Sequence, residues 1–483
     1  MEKTEVFRVR SDWNGKRKRT FAVTLALDYI LMRPLCILEG KYVEMPRDEV
    51  VFCTNVIEKE EDDEEGENGG GALLFTVSHC QKSSQRCRTY EFYANDPDLP
   101  LEEAKALANE WCYAIRRSFS LPSKARSHKA LVLVNPNSGS GHAPAVFRRI
   151  RPTLDAAGLD FEVVETTHMG HAEEMLRSER DLNRYSAVII VSGDGLVHEV
   201  LNGVFQRGED WKFHLQTLAV GVIPAGSGNA LSRSLVHYQR ERFDGSGLAS
   251  GLFNVVRGKT QPMDLFQVTY DKSKTKVGFL SLGWGMISDI DIESEDLRFL
   301  GDLRFTLWAL HRIANLRKYH GKLSYLRASQ SDPELEIENL ESMISKEPLS
   351  LQERMPKDLN APLPDGWETE EEGFICVYVC NLAFIGATEI LAPGAKMNDG
   401  LLWLVIVRNR LSRIDLLNML TSVEKGAHGG IDGVDIIPCL AVRIEPSGND
   451  RAEGTMTVDG EVIPHGPVQA RVVPSACRVL TKM

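Results

Sequence analysis

The stretch SAVIIVSGDGLVHEVLNG, Ser186 to Gly203, carries the decisive pattern. An apolar run leads into Ser192-Gly193-Asp194-Gly195, and a helical pattern follows. A buried parallel strand accounts for the apolar run, because a strand covered on both faces does not alternate. It does not account for an aspartate wedged between two glycines at the strand's carboxyl end. As a mere helix N-cap, Ser or Asn would serve as well, without glycine on both sides. Gly193 and Gly195 are expected instead to turn the backbone sharply and to leave the space beside Asp194 open to substrate. A carboxylate so placed, next to a nucleotide, can take the proton from an attacking hydroxyl or hold Mg2+. His198-Glu199 suggests a zinc-protease helix, but Asn202 stands where the second histidine would have to be.

The same alternation extends to both sides. KALVLVNP precedes a helix through Val146 to Leu154, FEVVET one through Ala172 to Leu176, and LAVGVIPAGSGNA precedes LSRSL. Strands alternating with helices predict a parallel sheet with covering helices. Three of its strands end in glycine loops: NPNSGSGHA (Asn135 to Ala143), SGDG, and PAGSGNA (Pro224 to Ala230). At the carboxyl ends of parallel strands such loops converge and helix N-termini present unpaired amides, so three together point to phosphate. None is followed by the GKS or GKT of a Walker A loop, and Gly139-x-Gly141 lacks the third glycine of a dinucleotide fingerprint. The nucleotide site must work without a P-loop lysine.

With 483 residues, 43% hydrophobic and 26% charged, the chain reads as soluble, globular and built of two or three domains. Spread evenly, the net charge of -12 would argue against nucleic acid, which is not expected as a partner, but the charge is not spread evenly. Much of that charge sits in EKEEDDEEGE, Glu58 to Glu67, which reads as a solvated loop. The longest apolar runs, such as LLWLVIV from Leu401 to Val407, fall far short of the roughly 18 residues that would span a bilayer. No signal segment opens the chain, so nine cysteines without a CxxC pair predict reduced thiols and a cytosolic protein. Cys376 and Cys380 share a strand face and read as buried small side chains, since two of four zinc ligands would be missing.

The first 121 residues form a separate module of short strands (EVFRVRSDW, RTFAVTLAL, ALLFTVSHC, RTYEFYA) and one helix. In that helix Ala104, Leu107, Trp111 and Ile115 recur at helical spacing. The arrangement resembles a pleckstrin-homology-like module. The basic turn Lys16 to Arg19 then reads either as a solvated hairpin tip or as a contact for phosphoinositide headgroups. LPSKARSH, Leu121 to His128, is a linker. An α/β domain is expected over 129–266 and a mainly β domain over 267–483. The acidic, weakly periodic interval 328–372 reads as an exposed insertion.

SGDGLVHEVLNG, IPAGSGNALSRSL, SLGWGMISDIDIESEDLRFLGDLRFT and TVDGE, in this order, resemble the sphingosine kinases within the wider diacylglycerol-kinase-like lipid kinases. The likeness runs from about Lys129 to the C-terminus, without the acidic insertion. It implies an α/β nucleotide-binding domain followed by a β-sandwich-like lipid domain, with ATP and Mg2+ in the cleft between them and Asp194 as catalytic base. Asn135, Pro136, Asn137, Gly139, Thr166, Thr167, His168, Met169, Gly170, Glu199, Ser227, Arg298, Arg304, Asp459, Gly460 and Glu461 fall on the family's nucleotide-contacting positions. Ser192, Gly193 and Gly195 border the acceptor beside Asp194, with Ser281 near the reacting hydroxyl, Asp291 at the headgroup and His428 as a gate to the tail pocket. One departure is visible: relatives often carry lysine in the first glycine loop, where this chain has Ser140 and His142.

The residues themselves allow these roles. Arg298 and Arg304 lie six apart across a glycine and are placed to neutralise one nucleotide, though either could serve in a surface salt bridge. Asp459-Gly460-Glu461 crowns a hairpin, a common Asp-Gly signal by itself. Asp289 and Asp291 are expected to share one face of a strand, followed by Glu293 and Glu295. A carboxylate there would hold the ammonium and secondary hydroxyl of a sphingoid base, which ceramide and diacylglycerol cannot match in charge. Trp284, Met286, Ile287, Phe305, Leu307, Trp308, Leu416, Leu420 and Val423 are candidates for an alkyl tunnel or for ordinary core.

The expectation is an ATP-dependent kinase acting on the primary hydroxyl of sphingosine, cytoplasmic and visiting membranes from the surface. A homodimer stays open. Rival readings are a kinase for ceramide, diacylglycerol or another lipid alcohol, a non-catalytic membrane-recruited scaffold, and an NAD kinase, which also carries a glycine-aspartate-glycine loop.

Overall fold

The computed structural model describes residues 129–328 and 349–482, apart from 140, 301–302 and 449–453, and before them seven strands and one helix between residues 3 and 119. Lys16, Arg17 and Lys18 of the basic turn, the acidic run from Glu61 to Glu67, Ser140 and the linker lie outside the described residues.

The N-terminal strands are β1 (Lys3–Ser11), β2 (Arg19–Leu25), β3 (Tyr29–Pro34), β4 (Val43–Pro46), β5 (Val50–Glu60), β6 (Gly71–Gln81) and β7 (Arg86–Ala94). They form one antiparallel sheet in the order β4-β3-β2-β1-β7-β6-β5. Helix α1 (Leu101–Phe119) crosses it and buries Ala104, Trp111 and Ile115, as their spacing requires. The Trp111 ring stands edge-on to Phe7 at 5.1 Å.

The α/β region runs β8 (Lys129–Val134), α2 (Ala143–Ala156), β9 (Phe161–Glu165), α3 (His171–Ser178), β10 (Tyr185–Ser192), α4 (Asp194–Phe205), α5 (Trp211–Thr217), β11 (Ala219–Pro224), α6 (Ala230–Tyr238) and α7 (Leu248–Arg257). Its strands pair in parallel in the order β9-β8-β10-β11. Alternate side chains serve opposite faces. Leu131, Leu133, Val188 and Ile190 pack under α3, α4, α5 and α6, while Val132, Val134, Ile189 and Val191 pack under α2 and α7. Both faces are dry, which is why these strands read as unbroken apolar runs.

The β domain holds β12 (Lys259–Tyr270), β13 (Lys274–Gly278), β14 (Ser281–Gly285), α8 (Met286–Glu293), α9 (Leu303–Ala314), β15 (Tyr319–Arg327), α10 (Leu349–Glu353), β16 (Glu368–Cys380), β17 (Leu402–Arg408), α11 (Arg413–Val423), β18 (Val434–Pro446), β19 (Met456–Val458), β20 (Glu461–Val462) and β21 (Val468–Thr481). The expected boundary at 266/267 falls inside β12. Strand β21 pairs with β12 and β18 and also lies parallel to β11 at Val220–Val479, so the last strand serves both domains. Asp264 sits at a bulge in β12, buried, and accepts the amides of Gly400 (2.7 Å) and Ser475 (2.6 Å).

Two expectations need correction. Residues 351–372 are only partly an exposed insertion: most are exposed or half-buried, but Leu351, Pro356 and Leu359 are buried and the acids from Glu368 onward begin β16. Their alternation is met by cations on neighbouring strands. Arg327 binds Glu368 at 2.7 Å, and Arg408 binds Glu370 at 2.6 Å and Asp435 at 2.8 Å. MISDIDIE is helix α8, not a strand, so Asp289 and Asp291 do not share a face. Over eight residues its apolar positions also fit a helix, and Met286 and Ile290, one turn apart, are both buried.

Cys53, Cys112, Cys376, Cys380, Cys439 and Cys477 are buried and not joined in disulfides. No helix among the described residues is long and apolar enough to cross a membrane.

Candidate active site

The three glycine loops touch one another at the carboxyl ends of β8, β10 and β11. Ser138 joins them, its Oγ donating to the Ala225 carbonyl at 3.1 Å and accepting the Gly193 amide at 3.2 Å. Asn135 Oδ1 accepts the Asn137 amide at 3.0 Å and shapes the first loop. Gly139 has φ +52°, and a Cβ there would fall 2.4 Å from the Ala225 oxygen. Gly193, by contrast, is extended, with φ -94° and ψ -170°, so it makes no sharp turn. Its reason is close approach: a Cβ on Gly193 would lie 3.1 Å from the Gly226 Cα, and one on the facing Gly226 2.4 Å from the Gly193 Cα.

Asp194 is the first residue of α4, yet it caps a different helix. Its Oδ2 accepts the Ala230 amide at 2.7 Å and its Oδ1 the Leu231 amide at 3.2 Å, at the start of α6. Two helix N-termini thus meet at one half-buried carboxylate. Burial pushes its pKa up to about 6 against the pull of the two amides, and the charge of Asp459 adds to the rise. Such a group is ionised at neutral pH and still basic enough to accept a proton.

The opposite wall comes from the β domain. Strands β19 and β20 pair as a hairpin, and Asp459 and Gly460 at its tip have φ +52° and +84°, the primed turn that Asp-Gly favours. The Asp459 side chain points inward. It accepts the amides of Phe279 (3.1 Å), Leu280 (2.9 Å) and Ser281 (3.0 Å) and faces His198 Nδ1 at 2.8 Å. Four donors fill its acceptor capacity, so the nucleotide contact expected of this carboxylate is not available. It fixes the Ser281 strand, and without it three buried amides would lose a partner, each at a cost of about 1–3 kcal/mol.

Glu461 and Asp291 flank the same turn. A Cβ on Gly195 would stand 3.7 Å from Glu461 Oε1, and one on Gly460 3.3 Å from Asp291 Oδ2. Ser281 is buried, and its hydroxyl donates to Tyr378 at 3.1 Å. Asp194, Glu461 and Asp291 are therefore brought near one another around Gly195 and Gly460, where the two domains meet, and the Ser281 backbone is tied to the same turn through Asp459. Asp289 lies away from it, buried, accepting from Tyr319 and from the Thr455 amide at 2.9 Å.

Arg304 is buried and already committed. It donates to Glu295 at 2.8 Å and to Ser294 at 3.2 Å, and lies 3.6 Å from Asp291 Oδ1. As folded it organises the Asp291 segment; phosphate contact would require it to change partners. Arg298 lies on the turn Glu295–Leu300, and its side chain is outside the described residues.

The remaining expected residues separate into two groups. Pro136, Asn137, Ser227, Thr167, His168 and Met169 lie on open loops around the cleft's α/β side, with Gly170 at φ +84° as the N-cap of α3. Ser192 and Thr166 are buried at strand ends. Glu199 accepts the Ala172 amide at 3.1 Å and ties α4 to α3. His428 is fully buried, and its Nε2 bonds the Leu391 carbonyl at 2.9 Å. Burial lowers its pKa.

Of the apolar tunnel candidates, Met286, Ile287, Phe305, Trp308, Leu416, Leu420 and Val423 gather in one cluster between α8, α9, α11 and the strands behind them. Trp284 does not belong there. Its ring packs in the sandwich against Phe374 at 6.0 Å. Leu307 points outward with Leu303, Leu310, Ile414 and Leu417, each between 41% and 70% exposed. Among the described residues no cluster of three metal-ligating side chains exists.

The comparisons agree with this anatomy. The Diacylglycerol kinase catalytic domain family matches residues 129–268, and the YegS C-terminal NAD kinase beta sandwich-like domain matches 356–481. Sphingosine kinase 1 of Homo sapiens is 34% identical over 359 residues, covering 72% of this chain and 90% of that protein. Sphingosine kinase 1 of Arabidopsis thaliana is 32% identical over 72% of this chain and 70% of its own length. A solved structure of a candidate diacylglycerol kinase from Bacillus anthracis shares the fold, with a TM-score of 0.52 at 18% identity, over 74% of this chain and 97% of that one.

Proposed function

Because this chain belongs to the sphingosine kinase family, we propose that it transfers the γ-phosphoryl group of ATP to the primary hydroxyl of sphingosine, with Asp194 as general base. One observation supports the catalytic role: a carboxylate whose pKa burial pushes up to about 6 stands among three phosphate-type loops of the α/β domain, with Glu461 beside Gly195 and Asp291 beside Gly460 on the β-domain side. Asp194 accepts the hydroxyl proton as that oxygen bonds the γ-phosphorus and the bond to the bridging oxygen of ADP breaks. The loop amides and helix N-termini supply the partial positive charge that a missing P-loop lysine would otherwise provide. Asp291 orients the substrate ammonium, and the α8, α9 and α11 cluster receives the alkyl chain. The described residues do not build a Mg2+ cage. The ion, which neutralises phosphate charge, would be bound chiefly by the nucleotide's own oxygens.

The enzyme is cytoplasmic on this reading and meets the membrane from the surface. Leu303, Leu307 and Leu310 recur along one face of α9, beside Ile414 and Leu417 of α11, and this exposed apolar face lies next to the cluster that would take the lipid tail. A lipid surface is the fitting occupant, since the substrate must leave a bilayer to reach Asp291. The N-terminal module is read as pleckstrin-homology-like, supported by its seven-strand antiparallel order and the helix that closes it.

Purified protein, radiolabelled ATP and a panel of sphingosine, dihydrosphingosine, ceramide and diacylglycerol test the assignment. Label is expected in the two free bases. Label confined to ceramide or diacylglycerol would dismiss it.

A further inference from the structure

Helix α4 carries a second polar residue on the side that presents Asp194. His198 stands one turn further on, at i+4, and is buried. Its Nδ1 lies 2.8 Å from Oδ2 of Asp459 in the other domain. The third member of the chain reveals the tautomer. Asn202 Oδ1 accepts the Val277 amide at 3.0 Å, and its Nδ2 donates to the carbonyls of Val277 (2.9 Å) and His198 (3.0 Å) and faces His198 Nε2 at 3.2 Å. A proton on Nε2 would face the hydrogens of that amide, so the ring proton resides on Nδ1 and is donated to Asp459. Asp459 then holds the amides of Phe279, Leu280 and Ser281.

We propose that His198 is a positioning residue for phosphoryl transfer, fixing through Asp459 the separation between the helix that bears Asp194 and the strand that bears Ser281. This rests on the reading of Asp194 as base. The backbone pairing of the two domains lies elsewhere: β21 meets β11 at Val220, near that strand's amino end, whereas the reaction takes place at the carboxyl ends. The Asn202–His198–Asp459 chain pins the reactive end. Packing alone would not call for it, because burying an imidazole and a carboxylate costs more desolvation than an apolar contact of similar volume. Asp194 also faces the charge of Asp459, so a displaced Asp459 alters the proton affinity of the base.

The test compares two polar replacements in the full chain. The amide of His198→Asn overlies the imidazole Nδ1 edge and can still donate to Asp459, whereas that of His198→Gln overlies the Nε2 edge and reaches Asn202 instead. His198→Asn is expected to keep most of the turnover with sphingosine. His198→Gln should lose kcat by about tenfold or more, within the roughly 10²-fold that a misplacement of about 1 Å can cost. Its KM for ATP should stay close to the parent value, and the acid limb of its pH profile should move downward as water reaches Asp194 and Asp459 recedes. Equal kcat in the two variants, a change confined to the KM for ATP, or an unmoved acid limb would overturn the proposal. Asp194→Asn, assayed alongside, judges the base separately: if it kept near-normal turnover, the base reading would fail while the Asn/Gln contrast in kcat still decided the role of His198.

Discussion

Lowering the pH from 7 to 5 titrates Asp194. With its carboxyl near 6, about nine-tenths of the groups are ionised at pH 7 and about one-tenth at pH 5, so kcat/KM for sphingosine should fall about tenfold. An aspartate at its ordinary value would lose less than about a tenth over the same interval. The displacement comes first from burial between the loops and is opposed by the amides of Ala230 and Leu231, with Asp459 adding to it. The linked stability runs the other way. Folding raises this pKa, so the folded chain binds more protons than the unfolded one between about pH 4 and 6, and the group's contribution to stability declines as pH rises through that window. The assay is label transfer from saturating ATP between pH 4.5 and 8. ATP ionises too, but equally for every variant, so a limb that moves in Asp194→Glu belongs to the side chain. Asp194→Asn should fold, bind ATP and lose turnover by about 10²- to 10⁴-fold. A profile flat down to pH 5, or near-normal kcat in Asp194→Asn, would refute the reasoning.

Gly226→Ala would drive a Cβ to 2.4 Å from the Gly193 Cα, backbone against backbone, and should cost about 1–3 kcal/mol together with ATP affinity; an unchanged Tm and ATP titration would contradict it. Asp291→Ala removes a charge-assisted contact of about 1.5–3 kcal/mol and should raise the KM for sphingosine at least about tenfold with little change for ATP. An unaltered sphingosine KM dismisses that role. Replacing Leu303, Leu307 and Leu310 together by serine should abolish sedimentation with phosphatidylcholine vesicles and spare turnover of detergent-dispersed sphingosine, and persistent vesicle binding would exclude this face.

Much of the α/β domain was legible because its strands are buried on both sides, which leaves no alternation to confuse and marks each loop with glycine. The Asp459-Gly460 hairpin was legible for a local reason too, since few residue pairs accept two positive φ angles. The acids of β16 were not, because their cations, Arg327 and Arg408, come from other strands. Helix α8 was misread because alternation over eight residues fits both periods, and burial against neighbouring elements decided between them.

Local chemistry in the chain settled the glycine loops, the place of Asp194 among them and the family likeness, since turn conformation and motif spacing depend on near neighbours. Tertiary structure alone decided that Gly193 is needed to meet Gly226, that Asp194 caps α6, and that Asp459 turns inward to His198. These are contacts between residues 33 to 261 positions apart. Their energies depend on a burial and an approach that exist only once both domains have closed on the cleft.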